Sequence, residues 1–191
     1  RAYELGSAQH ANLTILDKYY DKAIKYLIYG NVLKNNTYPL SVSAERVFQA
    51  IEAIKYAKSV GATAIAHGST GAGNDQIRFD LIFQTIAPEI EIITPIRDLK
   101  LSRQEEVDYL AKNGVHYSWE KAQYSINKGL WGTSVGGKET LTSSQPLPSE
   151  AYPSQLQKEG EEKVTLEFLK GELVAVNGVA DKPSNNIVVL E

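Results

Sequence analysis

The feature that most constrains the fold of this 191-residue chain is a glycine-rich stretch between a short apolar run and a segment with helical periodicity. The stretch reads His67-Gly68-Ser69-Thr70-Gly71-Ala72-Gly73-Asn74-Asp75. Its three glycines predict a tight backbone turn, and Asn74 and Asp75 are typical of a helix start. A loop between a strand and a helix leaves N–H groups unpaired, and these suit a phosphate or a carboxylate. Because the spacing is neither GxxxxGK[ST] nor GxGxxG, an anion-binding loop and a structural turn remain equally open.

The elements around this loop predict an α/β fold, with an open, mostly parallel sheet and flanking helices. Short apolar runs predict buried strands at 11–16, 63–66 and 90–94. Helical periodicity follows each run, and it also fills the segment from Ser43, a predicted N-cap, to Gly61. Ser102 and Glu105 have the spacing of a capping box, which predicts a further helix. The alternation of short strands with helices is typical of a parallel sheet.

The helical periodicity stops at about residue 117, which predicts one domain over 1–117 and the beginning of another over 118–191. Residues 143–154 are rich in proline and serine, so we expect an extended arm there. Alternating apolar residues on both sides of Lys170-Gly171 predict a hairpin, and residues 187–190 predict a strand.

Composition excludes several classes of protein. The formal net charge of −3 argues against a nucleic-acid surface. No apolar run approaches the roughly 20 residues that span a bilayer, so we expect no membrane segment. The chain has no cysteine, which removes disulfides and thiolate metal sites and fits a cytoplasmic protein. It also has no methionine, so we expect it to be an excerpt of a longer protein.

Three polar residues at the end of the loop suggest a ligand. Asn74 and Arg78 are four residues apart on the predicted helix and therefore share a face, and Asp75 lies beside them. A carboxylate and a guanidinium together suit a zwitterionic amino acid, because Asp75 can hold an ammonium and Arg78 a carboxylate. An N-cap with a surface ion pair explains the same residues, and from these residues alone it is slightly the better explanation.

Four segments, in order, resemble the argininosuccinate synthase family. They are Tyr38-Pro-Leu-Ser-Val-Ser43 with Arg46, the loop and helix from His67 to Phe79, Ile92-Ile-Thr-Pro-Ile-Arg97, and Tyr124-Ser125 with Leu130-Trp131-Gly-Thr-Ser134. The resemblance extends to about Gly178. It implies a fold like the adenine-nucleotide α-hydrolases, followed by the start of an α+β synthetase domain.

The resemblance implies an enzyme that ligates citrulline and aspartate with ATP, through a citrullyl-adenylate, releasing AMP and pyrophosphate. It implies that ATP, accompanied by Mg²⁺, contacts Ala66, His67, Gly68, Ser69, Thr70, Gly71, Ala72, Gly73 and Asn74. It implies that aspartate contacts Thr70, Asn74 and Asp75. It implies that citrulline contacts Tyr38, Ser43, Asn74, Arg78, Ser125 and Ser134. It also implies a homo-oligomer, a tetramer, in the cytoplasm.

No side chain is assigned as a nucleophile, general base or metal ligand, because adenylylation itself turns the ureido oxygen into a leaving group. His67 fits a core histidine that bonds the loop backbone. The family's Ser-Gly-Gly-Leu-Asp-Thr-Ser motif is absent from the chain, so we expect the central portion of the enzyme, inactive alone. Two alternatives remain: another amide ligase of the ATP-pyrophosphatase type, and a non-catalytic module that binds an anion or an amino acid.

Overall fold

The computed structural model describes residues 2–71, 73–116 and 124–190. The first part contains α1 (Leu16–Tyr19), a π-helical turn (Tyr20–Ile24), α2 (Lys25–Tyr29), β1 (Leu33–Lys34), β2 (Tyr38–Pro39), α3 (Ser41–Ser59), β3 (Ala64–Ala66), α4 (Asp75–Ile86), β4 (Glu91–Ile93), α5 (Pro95–Asp98) and α6 (Arg103–Lys112). The second part contains β5 (Ser125–Gly129), β6 (Gly132–Gly136), two short 3-10 helices (Lys138–Leu141 and Ser149–Ala151), β7 (Leu166–Leu169), β8 (Glu172–Val176), β9 (Val179–Ala180) and α7 (Pro183–Val189). Among the described residues, no helix is both long and apolar enough to cross a membrane.

A parallel pair of strands carries the glycine-rich loop. β3 and β4 pair in parallel with Ile65 opposite Ile92, and α4 forms the connection between them. Because the strands run the same way, the loop after β3 and the start of α5 after β4 lie at the same edge. The predicted α/β class is confirmed. The other described pairs, β1–β2, β5–β6 and β7–β8–β9, are antiparallel.

The main core lies between α3, α4 and the parallel strands. Ala50 and Ile54 of α3 meet Phe83 of α4, with Ala57, Ala87 and Ile90 completing the buried cluster. Ile65 and Ile92 of the sheet pack against the same cluster. The apolar spacing of both helices therefore fixes the N-terminus of α4 beside that of α3.

The opposite side of α3 packs on a second cluster, formed by Tyr19, Tyr20 and Ile24, to which Phe48 of α3 and Leu130 also belong. Leu130 is part of the turn between β5 and β6, which form a hairpin in register with Asn127 opposite Ser134. The Ser41 hydroxyl donates to the Trp131 carbonyl over 2.6 Å, tying this turn to the start of α3. The hairpin is thereby held against the N-terminal half of α3.

Several predictions from the sequence are confirmed. α6 begins with the full capping box, in which Ser102 accepts from the Glu105 N–H and the Glu105 carboxylate accepts from the Ser102 N–H. The hairpin around Lys170-Gly171 forms between β7 and β8, and both turn residues have positive φ, 51° and 85°. This conformation matches a type I′ turn, which favours glycine at the second position.

Three local predictions are wrong. The predicted strand over 11–16 is absent from the described residues: 11–15 are mostly exposed without a pairing strand, and Leu16 already begins a helix. Residues 187–190 belong mainly to α7, which begins at Pro183, and Ile187 packs on the second cluster. α3 begins at Ser41, so Ser43 is not its N-cap.

The predicted arm at 143–154 contains the short helix Ser149–Ala151, in which Ala151 is buried. The predicted domain boundary at 117/118 falls outside the described residues, which resume at Tyr124.

Candidate functional site

The N-termini of α3 and α4 and the β5 strand border an open cavity of about 280 Å³. It is lined by Tyr38, Val42, Ser43, Gly73, Asn74, Asp75, Arg78, Ser125 and Asn127. Five of the six residues predicted from the resemblance to contact citrulline are in this set, although they come from three separate parts of the chain. The lining contains one cation, one carboxylate and several neutral hydrogen-bonding groups, which suits a polar zwitterion.

Arg78 is the cation of this lining. One guanidinium nitrogen, Nη1, donates to Asp75 Oδ1 over 2.6 Å, and the other, Nη2, donates to the Ser43 hydroxyl over 3.1 Å. These two bonds direct the planar fork across the gap between α4 and α3. Ser43 therefore acts as a partner of Arg78 and not as a helix cap.

Asp75 lies between two guanidiniums. Its Oδ2 accepts from Arg46 Nε over 3.2 Å, in addition to the bond that Oδ1 accepts from Arg78. Asp75 is the first residue of α4, and Asn74 takes the N-cap position without a capping bond from its side chain to the described residues. The Asn74 side chain thus remains a lining group of the cavity.

Arg46 is a residue that the sequence analysis did not assign to the site. From α3 it also donates to Gln49 Oε1 over 2.9 Å and contacts Asn127 Oδ1 at 3.5 Å. Gln49 in turn donates to Glu45 over 2.9 Å. Its presence in the segment with Tyr38 and Ser43 was the only sequence signal for Arg46.

The half-buried Glu45 lies behind Arg46 against the hairpin turn. Burial raises the pKa of Glu45, while Arg46 and the backbone N–H of Leu130 act in the opposite direction. A Cβ on Gly129 would come within 2.3 Å of Glu45 Oε2, so a larger residue there would have to displace the Glu45 carboxylate. The hairpin position and the Arg46 position are therefore coupled.

The hairpin supplies the remaining predicted residues. Ser125 and Asn127 of β5 are two residues apart and line the cavity together, and Ser134 of β6 pairs directly opposite Asn127. Cross-strand neighbours share a face of the hairpin, so Ser134 is on the cavity side without lining the cavity itself. Asn127 was missed because it stands between the two serines of the motif without a motif role of its own.

The glycine-rich loop follows β3, whose last residue is Ala66. The His67 N–H donates to the Ile93 carbonyl over 3.1 Å, which continues the β3–β4 ladder into the loop. Thr70, predicted for both ATP and aspartate, is exposed and does not line the cavity. Ala72 lies outside the described residues.

The glycines of this loop are not required by its backbone conformation. Gly68, Gly71 and Gly73 are absent from the positive-φ glycines of the described chain, which corrects the predicted need for glycine in a tight turn. A Cβ on Gly68 or Gly71 would meet only ordinary contacts, at 3.9 and 3.7 Å. Because glycine has no side chain, these residues leave the loop backbone accessible at the carboxyl edge of the parallel strands, where α/β folds bind ligands.

His67 bonds both the loop and helix α4. Its Nδ1 accepts from the Ser69 N–H at 3.3 Å and its Nε2 lies 2.9 Å from Asp80 Oδ1, so the ring proton is on Nε2. The bond from the Ser69 N–H agrees with the expectation that His67 bonds the loop backbone. Asp80 was not predicted.

The parallel β3–β4 pair, joined by α4 and flanked by helices, defines the class of the fold as α/β. A family model for the Arginosuccinate synthase N-terminal HUP domain matches residues 1–116. The chain belongs to the argininosuccinate synthase family.

Curated relatives agree with this assignment. The chain is 37% identical over 179 residues to the argininosuccinate synthase of Sulfolobus acidocaldarius, covering 93% of the chain and 46% of the relative. It is 37% identical over 186 residues to that of Methanocaldococcus jannaschii, covering 96% and 47%. That of Metallosphaera sedula is 34% identical over all 191 residues and 49% of its own length. The chain thus spans about half the length of the curated relatives it matches.

Proposed function

We propose that the protein containing this chain is an argininosuccinate synthase, which joins citrulline to aspartate at the expense of ATP and releases AMP and pyrophosphate. The observation that carries the proposal is the cavity in which Tyr38, Ser43, Asn74, Arg78 and Ser125 converge beside the glycine-rich loop. Family membership supports it, since the relatives bear this name along the aligned chain.

Citrulline is proposed to occupy the cavity with its carboxylate on Arg78. The fork of Arg78 is already oriented by Asp75 and Ser43, so binding needs little reordering of this side chain. Tyr38, Asn74 and Ser125 offer neutral groups for the rest of the molecule, and Ser134 would join from β6. Asn127 is added to this set because it lines the same cavity.

Aspartate is proposed to bind between the cavity and the loop, on Thr70, Asn74 and Asp75. Both oxygens of Asp75 already accept from guanidiniums, so Asp75 has two tasks in the proposal. It orients Arg78 and, through its remaining lone pairs, it attracts the amino group of aspartate.

ATP is proposed to lie along residues 66–74. Gly68 and Gly71 have no conformational need to be glycine, and a ligand approaching the backbone closely would supply that need. Mg²⁺ enters the proposal only as the companion of the ATP phosphates. The described residues contain no group of three His, Cys, Asp or Glu side chains that could hold a metal, and an ion carried by the ATP phosphates needs no such group.

The chemistry then requires positioning more than side-chain reactivity. The ureido oxygen of citrulline attacks the α-phosphorus of ATP, an O–P bond forms, and pyrophosphate leaves. The aspartate amine next attacks the former ureido carbon, the C–O bond to AMP breaks, and the amine proton is lost to solvent. Both steps gain from reactants held in line and from cations near developing charge.

We further propose a division into a nucleotide-binding domain over 1–117 and the beginning of a synthetase domain over 118–191, in a homotetramer in the cytoplasm. Phe168 and Leu169 on β7 are 61% and 63% exposed, an apolar surface that another part of the full-length protein or a second copy can cover. Sedimentation equilibrium of the full-length protein tests this, and a monomer at micromolar concentration would contradict it.

Pyrophosphate release by the full-length natural protein tests the proposed activity. We expect release with ATP, citrulline and aspartate together, and exchange of pyrophosphate into ATP with ATP and citrulline alone. Turnover with ammonia in place of aspartate would indicate an amide ligase instead. Tight binding of citrulline with no pyrophosphate chemistry under any combination would indicate a binding module.

A further inference from the structure

We infer that Asp80 and Arg97 are positioning residues of the glycine-rich loop, which they hold at two backbone points, one on each side of Thr70. The inference rests on the proposed function, in which this loop binds ATP. Neither residue belongs to the segment that the sequence analysis assigned to ATP, and neither lines the cavity beside Arg78.

The first backbone point is Ser69. Its N–H is held by His67 Nδ1, and that nitrogen can accept only while the ring proton stays on Nε2. Asp80 Oδ1, at 2.9 Å from Nε2, fixes this tautomer and the ring orientation. His67 is only 9% exposed, so water competes little for either nitrogen. Asp80 thus controls a loop N–H through a histidine that it orients.

The second backbone point is Gly71. Its carbonyl accepts from Gln76 Nε2 over 2.6 Å, and the other end of that amide, Oε1, accepts from Arg97 Nη1 over 3.0 Å. Arg97 fixes which way the Gln76 amide faces, because a guanidinium can only donate. The amide NH₂ must then point to Gly71.

Asp80 and Arg97 also bind each other, which joins the two backbone points into one unit. Arg97 Nη1 donates to Asp80 Oδ2 over 2.5 Å, and Nη2 donates to the Thr94 hydroxyl over 3.0 Å. Burial alone would raise the pKa of Asp80, but the hydrogen bonds from His67 and Arg97 hold it below its usual value. The carboxylate is therefore ionised across the physiological range.

The placement of these residues explains why the loop can be positioned without glycine-specific turns. Gln76 and Asp80 are four residues apart on α4, and Arg97 comes from α5 after the neighbouring strand β4. The network therefore connects the loop to α4 and α5, the helices that follow the two parallel strands. Ser69 and Gly71 are the immediate neighbours of Thr70, so displacement of either would move the residue proposed to contact ATP and aspartate.

Asp80→Asn in the full-length natural protein is the first test. The amide keeps the size of the side chain but cannot accept from both His67 and Arg97 with the strength of a carboxylate. We expect ATP to bind at least about tenfold more weakly and citrulline to bind within about twofold of the wild type. Glu89→Gln is the matched control, since it removes a carboxylate whose partner, Lys58, is exposed.

Gln76→Met is the second test, because it removes both bonds of the amide at similar length and without a change of charge. We expect weaker ATP binding, by about threefold to tenfold, with a melting temperature within a few degrees of the wild type. Unchanged ATP affinity in both variants, in a protein whose wild type binds ATP, would overturn the positioning role. Equal loss of ATP and citrulline affinity with a lower melting temperature would also overturn it, in favour of a purely structural network. A wild type that binds no ATP would refute the proposed function itself, and the inference with it.

Discussion

Helix α4 carries two arginine–carboxylate clusters that look alike in composition and differ in what they face. The cavity cluster, Arg46, Asp75 and Arg78, borders an open cavity with other polar side chains around it. The loop cluster, His67, Gln76, Asp80 and Arg97, directs its bonds to the backbone of the glycine-rich loop. The first arrangement suits the binding of a ligand, and the second suits the positioning of the loop backbone.

The difference shows that the residue types of an ion pair at the end of a helix do not determine its function, which depends on what surrounds the pair. Asp75 and Asp80 lie on different faces of one helix, and each accepts from a guanidinium. Asp75 has a second arginine, and its partner Arg78 lines the cavity, whereas Asp80 is closed in by a nearly buried imidazole. We therefore expect the two clusters to respond to mutation separately, one through citrulline and the other through ATP.

The largest effect on free energy is expected from Phe83→Ala. This substitution should destabilise helix α4 and thereby disturb the cavity cluster and the loop cluster together. Phe83 is 3% exposed in the core between α3 and α4, and its ring stacks on Phe79. The lost burial and the cavity left behind should cost about 3–5 kcal/mol of unfolding free energy. Chemical denaturation measures this. A change below about 1 kcal/mol would contradict the core described for α4.

Arg78→Ala should show the clearest difference between the two clusters, because it should weaken citrulline binding without weakening ATP binding. Loss of the charged partner of a bound carboxylate is expected to cost about 2–5 kcal/mol of citrulline binding, with ATP affinity retained. Lysine at this position should rescue little, because it cannot bridge Asp75 and Ser43 as the planar fork does. Calorimetric titration measures both ligands, with Lys55→Ala as the control for removing a cation from exposed helix surface. Unchanged citrulline affinity would exclude the assigned role.

Asp75→Asn should have a smaller effect, which concerns both amino-acid substrates, citrulline and aspartate. The amide keeps the start of α4 but weakens the bonds from Arg46 and Arg78 and removes the charge that attracts the aspartate amine. Product formation should fall at least about tenfold, near 1.4 kcal/mol, and the apparent affinity for citrulline should fall less. Pyrophosphate exchange measured beside product formation distinguishes the two effects. Full activity in both assays would show that the carboxylate is dispensable.

The smallest effect is expected from Ser102→Ala, which should touch neither cluster. It removes the hydroxyl that accepts from the Glu105 N–H at the start of α6. The expected cost is about 1 kcal/mol of stability, with the affinities for ATP and citrulline unchanged. Weaker binding of ATP or citrulline to this variant would mean that the clusters depend on distant elements such as α6.

Sequence alone predicts the elements that local signals determine. The capping box at Ser102, the turn at Lys170-Gly171 and the strand before His67 each follow from residues close in sequence. The N-cap at Ser43 and the strand over 187–190 were wrong, because packing on distant residues decides both. Ser43 meets Arg78, 35 residues away, and Ile187 packs on the cluster around Tyr19.

For the site, the resemblance identified residues that the structure gathers into one cavity, and it left out the residues that hold them. Asn127 and Asp80 have no pattern of their own in the sequence, and Arg46 belongs to the segment of Tyr38 and Ser43 without an assigned role. Their relevance depends on the meeting of α3, α4, α5 and the β5–β6 hairpin. Only the three-dimensional arrangement supplies that information.

The most direct test of this account is a crossed titration of ATP and citrulline on Arg78→Ala and Asp80→Asn in the full-length protein. We predict that Arg78→Ala binds citrulline at least about tenfold more weakly with ATP affinity retained, and that Asp80→Asn binds ATP at least about tenfold more weakly with citrulline affinity retained. Parallel loss of both ligands in both variants would contradict it, since the two faces of α4 would then form a single site.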